Sequence, residues 1–391
     1  MGELRFHWFL PTQGDGRGLI ETGDAPPEAG VAGGLREASI AYLTRVATAA
    51  EDLGFEAALT PTGGWCDDAW VVTAMLAATS QRLKFLIAFR PGMVSPTLAA
   101  QMAATFQWHS GGRLLLNVVT GGDGDEQRAF GDFLEKDQRY RRTGEFLEIV
   151  RRLWDGETVE HSGEHLRVEG ATIHRLPDPL PEIYFGGSSS AATEVAASHA
   201  DVYLTWGEPP AAVAEKVERV RELAAERDRE MRFGIRLHTI SRDDSGVAWA
   251  QAERLLDSVP AATIARVQAR LRQSESEGQR RMLDLHNGSR DGLEVYPNLW
   301  AGVGLGRGGA GTALVGSHAE VAERIEEYAD AGIEEFVLSG YPHLEELYWF
   351  GEGVLPLLER RGLWRPPDPA GLAFSGGREG TAVPFAVGSD R

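Results

Sequence analysis

The run RFGIRLHTI (232–240) places two side chains capable of chemistry two residues apart. In an extended strand, Phe233, Ile235 and Leu237 share one face while Gly234, Arg236 and His238 share the other. The apolar set needs cover from neighbouring elements, which sends Arg236 and His238 toward an enclosed interior. A guanidinium there is costly unless it meets an anion, either a bound ligand or an acidic residue on a neighbouring strand. No strand end carries an obvious acidic partner, which favours a ligand.

Other stretches offer complementary chemistry. YFGGSSSAATEVAASHA (184–200) runs strand, two glycines, serines, helix. Backbone amides and hydroxyls at such a helix start suit a phosphate, although the same pattern serves as an ordinary serine N-cap. NVVTGGDGDEQ (117–127) ends a strand with Asn117 and Thr120, which suit the edge of a planar heterocycle or simple turn chemistry. SGYPHLEELYWFGEG (339–353) presents Tyr341 and His343, the former either a proton donor or satisfied by backbone. Cys66, in TPTGGWCDDAW, precedes a helix that Asp67 or Asp68 starts. Those carboxylates oppose any lowering of the thiol pKa, so lining or packing suits Cys66 better than nucleophilic attack.

AGVGLGRGGAGTALVG (301–316) contains the dinucleotide spacing G-x-G-x-x-G twice, from Gly304 and from Gly306. It follows no clear strand, and the next helix starts only at Ser317, so a nucleotide-binding turn is a poor match. A glycine hinge carrying Arg307 on a mobile lid fits better, with a disordered surface loop as the alternative. His7, His238 and His343 lack the carboxylates or H-x-H spacing of a metal site, and no metal is expected. No G-x-S-x-G elbow occurs.

The elements that must position these groups are short continuous apolar runs, the mark of strands buried on both faces. They are 4–10, 57–60, 83–89, 113–119, 182–187, 201–206, 232–240 and 335–340, with helical patterns after nearly every one. Ser95-Pro96 reads as an N-cap and first helical residue. Ser317 and Glu320 read as a capping box, with Val321, Ile325 and Tyr328 on one face. Eight strands with intervening helices predict an α/β (β/α)₈ barrel, an open doubly wound sheet being the alternative. In a barrel, the chemistry belongs at the C-terminal strand ends. Residues 1–365 form one domain with insertions at 14–37, 157–180 (a small hairpin) and 246–316, the last holding polar helices and the glycine-rich run. Residues 366–391 read as a poorly packed tail.

A net charge of −19 opposes nucleic acid or anionic membrane as partner, so an anionic ligand must meet a local basic site. One cysteine, no membrane-length apolar run and no signal-peptide pattern fit a reducing cytoplasm.

FHWFLPTQGDGR, LTPTGGWCDDAW, NVVTGGD, YFGGSS, YLTWGEPP, FGIRLH, NLWAGVGLGRGGAGTALVG and FVLSGYPHLEE occur in this order. Together they resemble the reduced-FMN-dependent alkanesulfonate monooxygenases of the bacterial luciferase-like superfamily, over roughly residues 4–360. The resemblance implies a barrel that takes reduced FMN as a diffusible substrate from a separate NAD(P)H-dependent FMN reductase. With O₂ it would cleave the C–S bond of an alkanesulfonate, giving an aldehyde and sulfite for sulfur acquisition. A homo-oligomer, dimer or tetramer, is expected.

Carried over by residue, the resemblance makes Arg236 and His238 the active-site strand pair, Tyr341 the rim tyrosine and Arg307 the arginine of the mobile loop. Cys66 matches the cysteine of the flavin pocket. Tyr140, Ser188 and Ser189 would hold the FMN phosphate, and Asn117 and Thr120 would lie near the ring. Trp206 would line the substrate side with Gln13 and His343. Gln13 stands where members commonly have histidine, and the 14–37 segment is longer than usual, so substrate preference is open. Related readings are a flavin barrel acting on a sulfone, an alkane or an N-heterocycle, a deazaflavin-dependent reductase, or a non-catalytic flavin-binding homologue. A neutral substrate would leave Arg236 unexplained, and the joint presence of Arg236, His238, Tyr341 and Arg307 argues against loss of catalysis.

Overall fold

Alternation along the apolar runs decides which side chains enter the interior, and the computed structural model, which describes residues 3–19 and 36–367, follows it. The barrel strands are β1 (Arg5–Phe9), β2 (Ala57–Thr60), β3 (Lys84–Phe89), β4 (Leu114–Val118), β5 (Glu182–Gly186), β6 (Val202–Trp206), β7 (Arg232–Arg242) and β8 (Glu335–Ser339). Each pairs in parallel with the next. β8 pairs in parallel with β1, which closes the barrel and excludes the open sheet.

Phe9, Leu59, Leu86, Leu115, Tyr184 and Val337 pack together inside the barrel. Phe6, Trp8, Phe85, Phe185, Phe233, Ile235, Leu237 and Phe336 belong to the outer core shared with the helices. Two buried faces explain why these strands read as unbroken apolar runs. The floor of the interior is polar. Glu335, fully buried, accepts from the Tyr184 hydroxyl at 2.7 Å and lies 2.9 Å from His7 Nε2 and 3.2 Å from Arg232 Nε. Burial works against its charge, but His7, Arg232 and Tyr184 outweigh that and hold the carboxyl at about 2.

The helix signals are realised. Ser95 caps Pro96–Ser110, and Ser317 and Glu320 form a reciprocal capping box on His318–Asp330, whose buried face includes Val321, Ile325 and Tyr328. Such caps contribute about 1 kcal/mol each. The expected hairpin is Val159–Ser162 with Arg167–Ala171. Among the described residues no helix is long and apolar enough to cross a membrane.

β7 forks along one edge. Its first half pairs with β6 through Arg236, and its second half, from His238 to Arg242, pairs in parallel with a further strand, Ala313–Ser317. The 246–316 insertion therefore holds more than polar helices. It includes helices Ala261–Leu271 and Glu277–His286, and strands Glu294–Tyr296 and Leu299–Trp300 lead to Ala313–Ser317.

The glycine-rich stretch expected as a hinged loop is folded. Val303–Gly306 is a helical turn and Ala313–Ser317 a strand, and only Arg307, Gly308 and Gly309 are half-exposed between buried flanks. The glycines permit close backbone approach. Gly304 N donates to Gly311 O at 2.9 Å, and a Cβ on Gly311 would lie 3.0 Å from Gly304 Cα. Of the 14–37 insertion, residues 14–19 and 36–37 are described, and Asp15 and Arg36 pair as an antiparallel bridge. Its remainder, like the tail beyond residue 367, lies outside the described residues.

Candidate active site

Strand register places Arg236 level with Trp206 of β6 and Val337 of β8, and His238 level with Ser339 and Ala313. Both project inward near the C-terminal mouth, as alternation requires. Arg236 Nη1 donates to the carbonyls of Leu237 (2.6 Å) and Val337 (3.3 Å), and Nη2 donates to Ser339 Oγ at 2.9 Å. Its guanidinium lies 5.1 Å above the Phe9 ring. The second arginine of the strand, Arg232, sits at the floor, ion-paired with Glu182 and Glu335. The acidic partner on a neighbouring strand thus exists, but it serves the lower arginine.

His238 has both ring nitrogens engaged. Nε2 lies 3.2 Å from the Ala310 carbonyl and Nδ1 lies 2.7 Å from Ser339 Oγ. A carbonyl only accepts, so Nε2 carries the hydrogen and Nδ1 accepts from the Ser339 hydroxyl. Burial first, then the charges of Arg236 and Arg307, push the imidazole well below its usual pKa. Tyr341 stacks on this ring at 5.4 Å, and its hydroxyl receives a hydrogen bond from Arg307 Nη1. Arg236, His238, Tyr341 and Arg307 are therefore brought together.

His343 joins the same row, 5.2 Å from Tyr341 and 5.4 Å from Phe9 by ring centroids. Tyr341 and His343, expected at the barrel rim, are both buried: Tyr341 packs into the core of the 246–316 insertion, and His343 is the first residue of the helix His343–Gly353. His343 Nδ1 lies 3.0 Å from Asp15 Oδ1, and its backbone N–H donates to the same carboxylate. Asp15 also accepts from the Tyr42 hydroxyl and from Gly16 N at 2.8 Å. Burial opposes ionisation of Asp15, but the charge and hydrogen bonds of His343 outweigh it and hold the carboxyl at about 2.

Across the mouth, the turn after β5 runs into the helix Ser190–His199. A Cβ on Gly187 (φ 150°) would come within 2.5 Å of Ala192 Cβ and 3.3 Å of Tyr140 Oη. The turn thus presents bare backbone beside Tyr140. Ser189 is the N-cap, accepting from Ala192 N at 3.3 Å, so the cap reading of that serine is correct. Ser188 is half-exposed next to it, and Tyr203 Oη donates to Gly187 O at 2.6 Å. Gly278, in the first turn of Glu277–His286, faces both Trp206 and Ser188: a Cβ there would lie 3.3 Å from the indole and 3.7 Å from Ser188 Oγ. Asn117 on β4 and Thr120 just beyond it are half-exposed at the same mouth.

Cys66, Gln13 and Thr12 line a cleft of about 530 Å³ with Trp65 and Asp67, in the loops after β1 and β2. Burial, reinforced by Glu126 and Asp67, pushes the Cys66 thiol up to about 11. Asp68 is the cap of the following helix. Among the described residues no three metal-ligating side chains converge.

Sequence reading missed Asp15 and Ser339. Ser339 was recoverable, since Glu335, Val337 and Ser339 alternate onto the interior face of β8. Asp15 lay within a glycine-rich insertion and carried no periodic signal.

Residues 4–335 match the family described as luciferase-like monooxygenase. Among solved structures the chain is similar to riboflavin lyase (RcaE), solved with modified FMN and riboflavin, at 20% identity over 93% of each chain and a TM-score of 0.78. It is similar to long-chain alkane monooxygenase (LadA) at 19% identity over 94% of this chain and 93% of that one, TM-score 0.74. It is also similar to EDTA monooxygenase (EmoA) from Chelativorans sp. BNC1 at 17% identity over 94% and 96%, TM-score 0.73. At such identities the likeness is one of fold.

Proposed function

The chain belongs to the luciferase-like monooxygenase family, and we propose that it uses reduced FMN and O₂ to cleave the C–S bond of an alkanesulfonate, releasing aldehyde and sulfite. The observation that carries this reading is the pair Arg236 and Arg307, both close enough to depress His238, in a chain of net charge −19. A local basic mouth in an acidic protein suits an anionic substrate, and a sulfonate matches two guanidinium groups by charge and geometry.

The residues fit FMN. The bare turn at Gly186–Gly187, the Ser188 hydroxyl, Tyr140 Oη and the start of a ten-residue helix suit a phosphate monoester. Asn117 and Thr120 would meet the ring, with Trp206 covering the substrate side. Bound reduced FMN supplies the electrons with which O₂ is activated. The protein's part is to bind the sulfonate through Arg236 and Arg307, exclude water with Tyr341, Trp206 and the packed glycine-rich segment, and manage protons. Reduced FMN would come from a separate NAD(P)H-dependent reductase. Cys66, with its high pKa, lines the adjoining cleft and does not attack.

The test is a coupled assay with a flavin reductase, NAD(P)H, FMN, O₂ and a panel of alkanesulfonates, read out as sulfite. Release from at least one sulfonate is expected. No sulfite from any of them, with turnover of a sulfone, an alkane or an amine, overturns the substrate class.

A further inference from the structure

We propose that Asp15 is a positioning residue for His343, orienting its imidazole so that Nε2 is the proton-accepting atom of the site. This rests on the reading of the barrel mouth as the reaction site.

His238 and His343 flank Tyr341, yet they are held in opposite ways. His238 has an acceptor at Nε2 and a hydroxyl at Nδ1, so neither nitrogen is available to a substrate. His343 is anchored through Nδ1 to a buried carboxylate. An ionised carboxylate only accepts, so Nδ1 carries the hydrogen and Nε2 carries the lone pair. That Nε2 is enclosed and has no hydrogen-bond partner among the described residues. An enclosed acceptor left unpaired is costly, a cost a bound ligand removes.

The anchor is over-determined. Asp15 accepts from Gly16 N, His343 N, His343 Nδ1 and the Tyr42 hydroxyl, and Arg36 stands 3.7 Å away. Arg36 is itself held by paired hydrogen bonds to Glu345, two residues beyond His343. With every donor aimed at it, the carboxylate cannot rotate to release the ring.

The proton balance is simple. Once oxygen from O₂ has been placed on the carbon bearing sulfur, with reduced flavin as reductant, the substrate is an α-hydroxysulfonate. Its O–H bond breaks and the electron pair forms C=O. The C–S pair leaves with sulfur as sulfite, and the proton passes to His343 Nε2, then to sulfite or water.

The first readout needs neither substrate nor flavin. With ¹⁵N-labelled histidine at about pH 9, where imidazoles are neutral, His343 should show the Nδ1–H tautomer and His238 the Nε2–H tautomer. Asp15→Asn should shift His343 toward Nε2–H and lower kcat by about 100-fold with KM for the sulfonate little changed, as expected when a base is held in the wrong tautomer. His343→Asn keeps a donor to Asp15 but has no nitrogen at the Nε2 position. It should retain thermal stability and lose about 100-fold in kcat. An Nε2–H tautomer at His343 in the wild-type chain overturns the proposal whatever the substrate, as does a His343→Asn chain with kcat within threefold of wild type. A wild-type chain that shows the two tautomers but releases no sulfite overturns the substrate class and leaves the dyad standing.

Discussion

Arg307 Nη1 donates a hydrogen bond to the Tyr341 hydroxyl, joining the 246–316 insertion to the turn after β8. The insertion's arginine thereby reaches the row of rings formed by His238, Tyr341 and His343.

Arg307→Ala should lower sulfite release by about 100-fold, the loss of one charge-assisted contact to an anion in a water-poor site. Reduced FMN, whose proposed site is the turn after β5, should bind with an affinity within about threefold of wild type in anaerobic titration. Undiminished sulfite release would remove Arg307 from the substrate site.

The barrel was legible because strands buried on both faces leave unbroken apolar runs, and alternation then placed Arg236 and His238 inward. Two things were hidden. The strand Ala313–Ser317 sits among glycines that signal flexibility, and only the packing of Gly304 against Gly311 reveals their use as close-approach residues. The Asp15–His343 contact joins residues 328 apart, and no spacing rule pairs an acid in an irregular insertion with a histidine beyond the last strand.

Cys66 should resist alkylation. A thiol at about 11 is ionised to about one part in a thousand at pH 8, against about a quarter for a free cysteine. Iodoacetamide should therefore modify the native chain roughly 100-fold more slowly than the urea-unfolded chain. Comparable rates in the two states would refute the burial argument.

His199 should make the fold acid-sensitive. Burial, helped by Arg229 and Arg151, lowers its imidazole to about 4. Between that value and the unfolded value near 6.5, the unfolded chain binds more protons, so stability is full above the higher value and declines as pH falls toward the lower. His199→Gln should recover about 1–2 kcal/mol of the loss between pH 7 and pH 5 in urea titrations. A variant whose acid sensitivity matches wild type would assign the effect to other groups.

Glu335→Ala should cost about 3–5 kcal/mol of stability, because it leaves His7 and the Tyr184 hydroxyl without their partner at a buried floor and Arg232 with Glu182 alone. Turnover per folded molecule should change little, since the mouth is at the opposite end. A marginal stability change by denaturant unfolding would mean that water or repacking compensates the lost carboxylate.

The shared edge of β7 separates two kinds of inheritance. Residues 232–236 complete the wall with β6, and residues 238–242 accept the returning strand of the insertion. The strands between Arg242 and Thr312 therefore lie outside the wall, pairing with one another and with the returning strand rather than with the barrel. A lineage that exchanged this cassette would keep its barrel wall while acquiring a new ceiling, and with it a new diet.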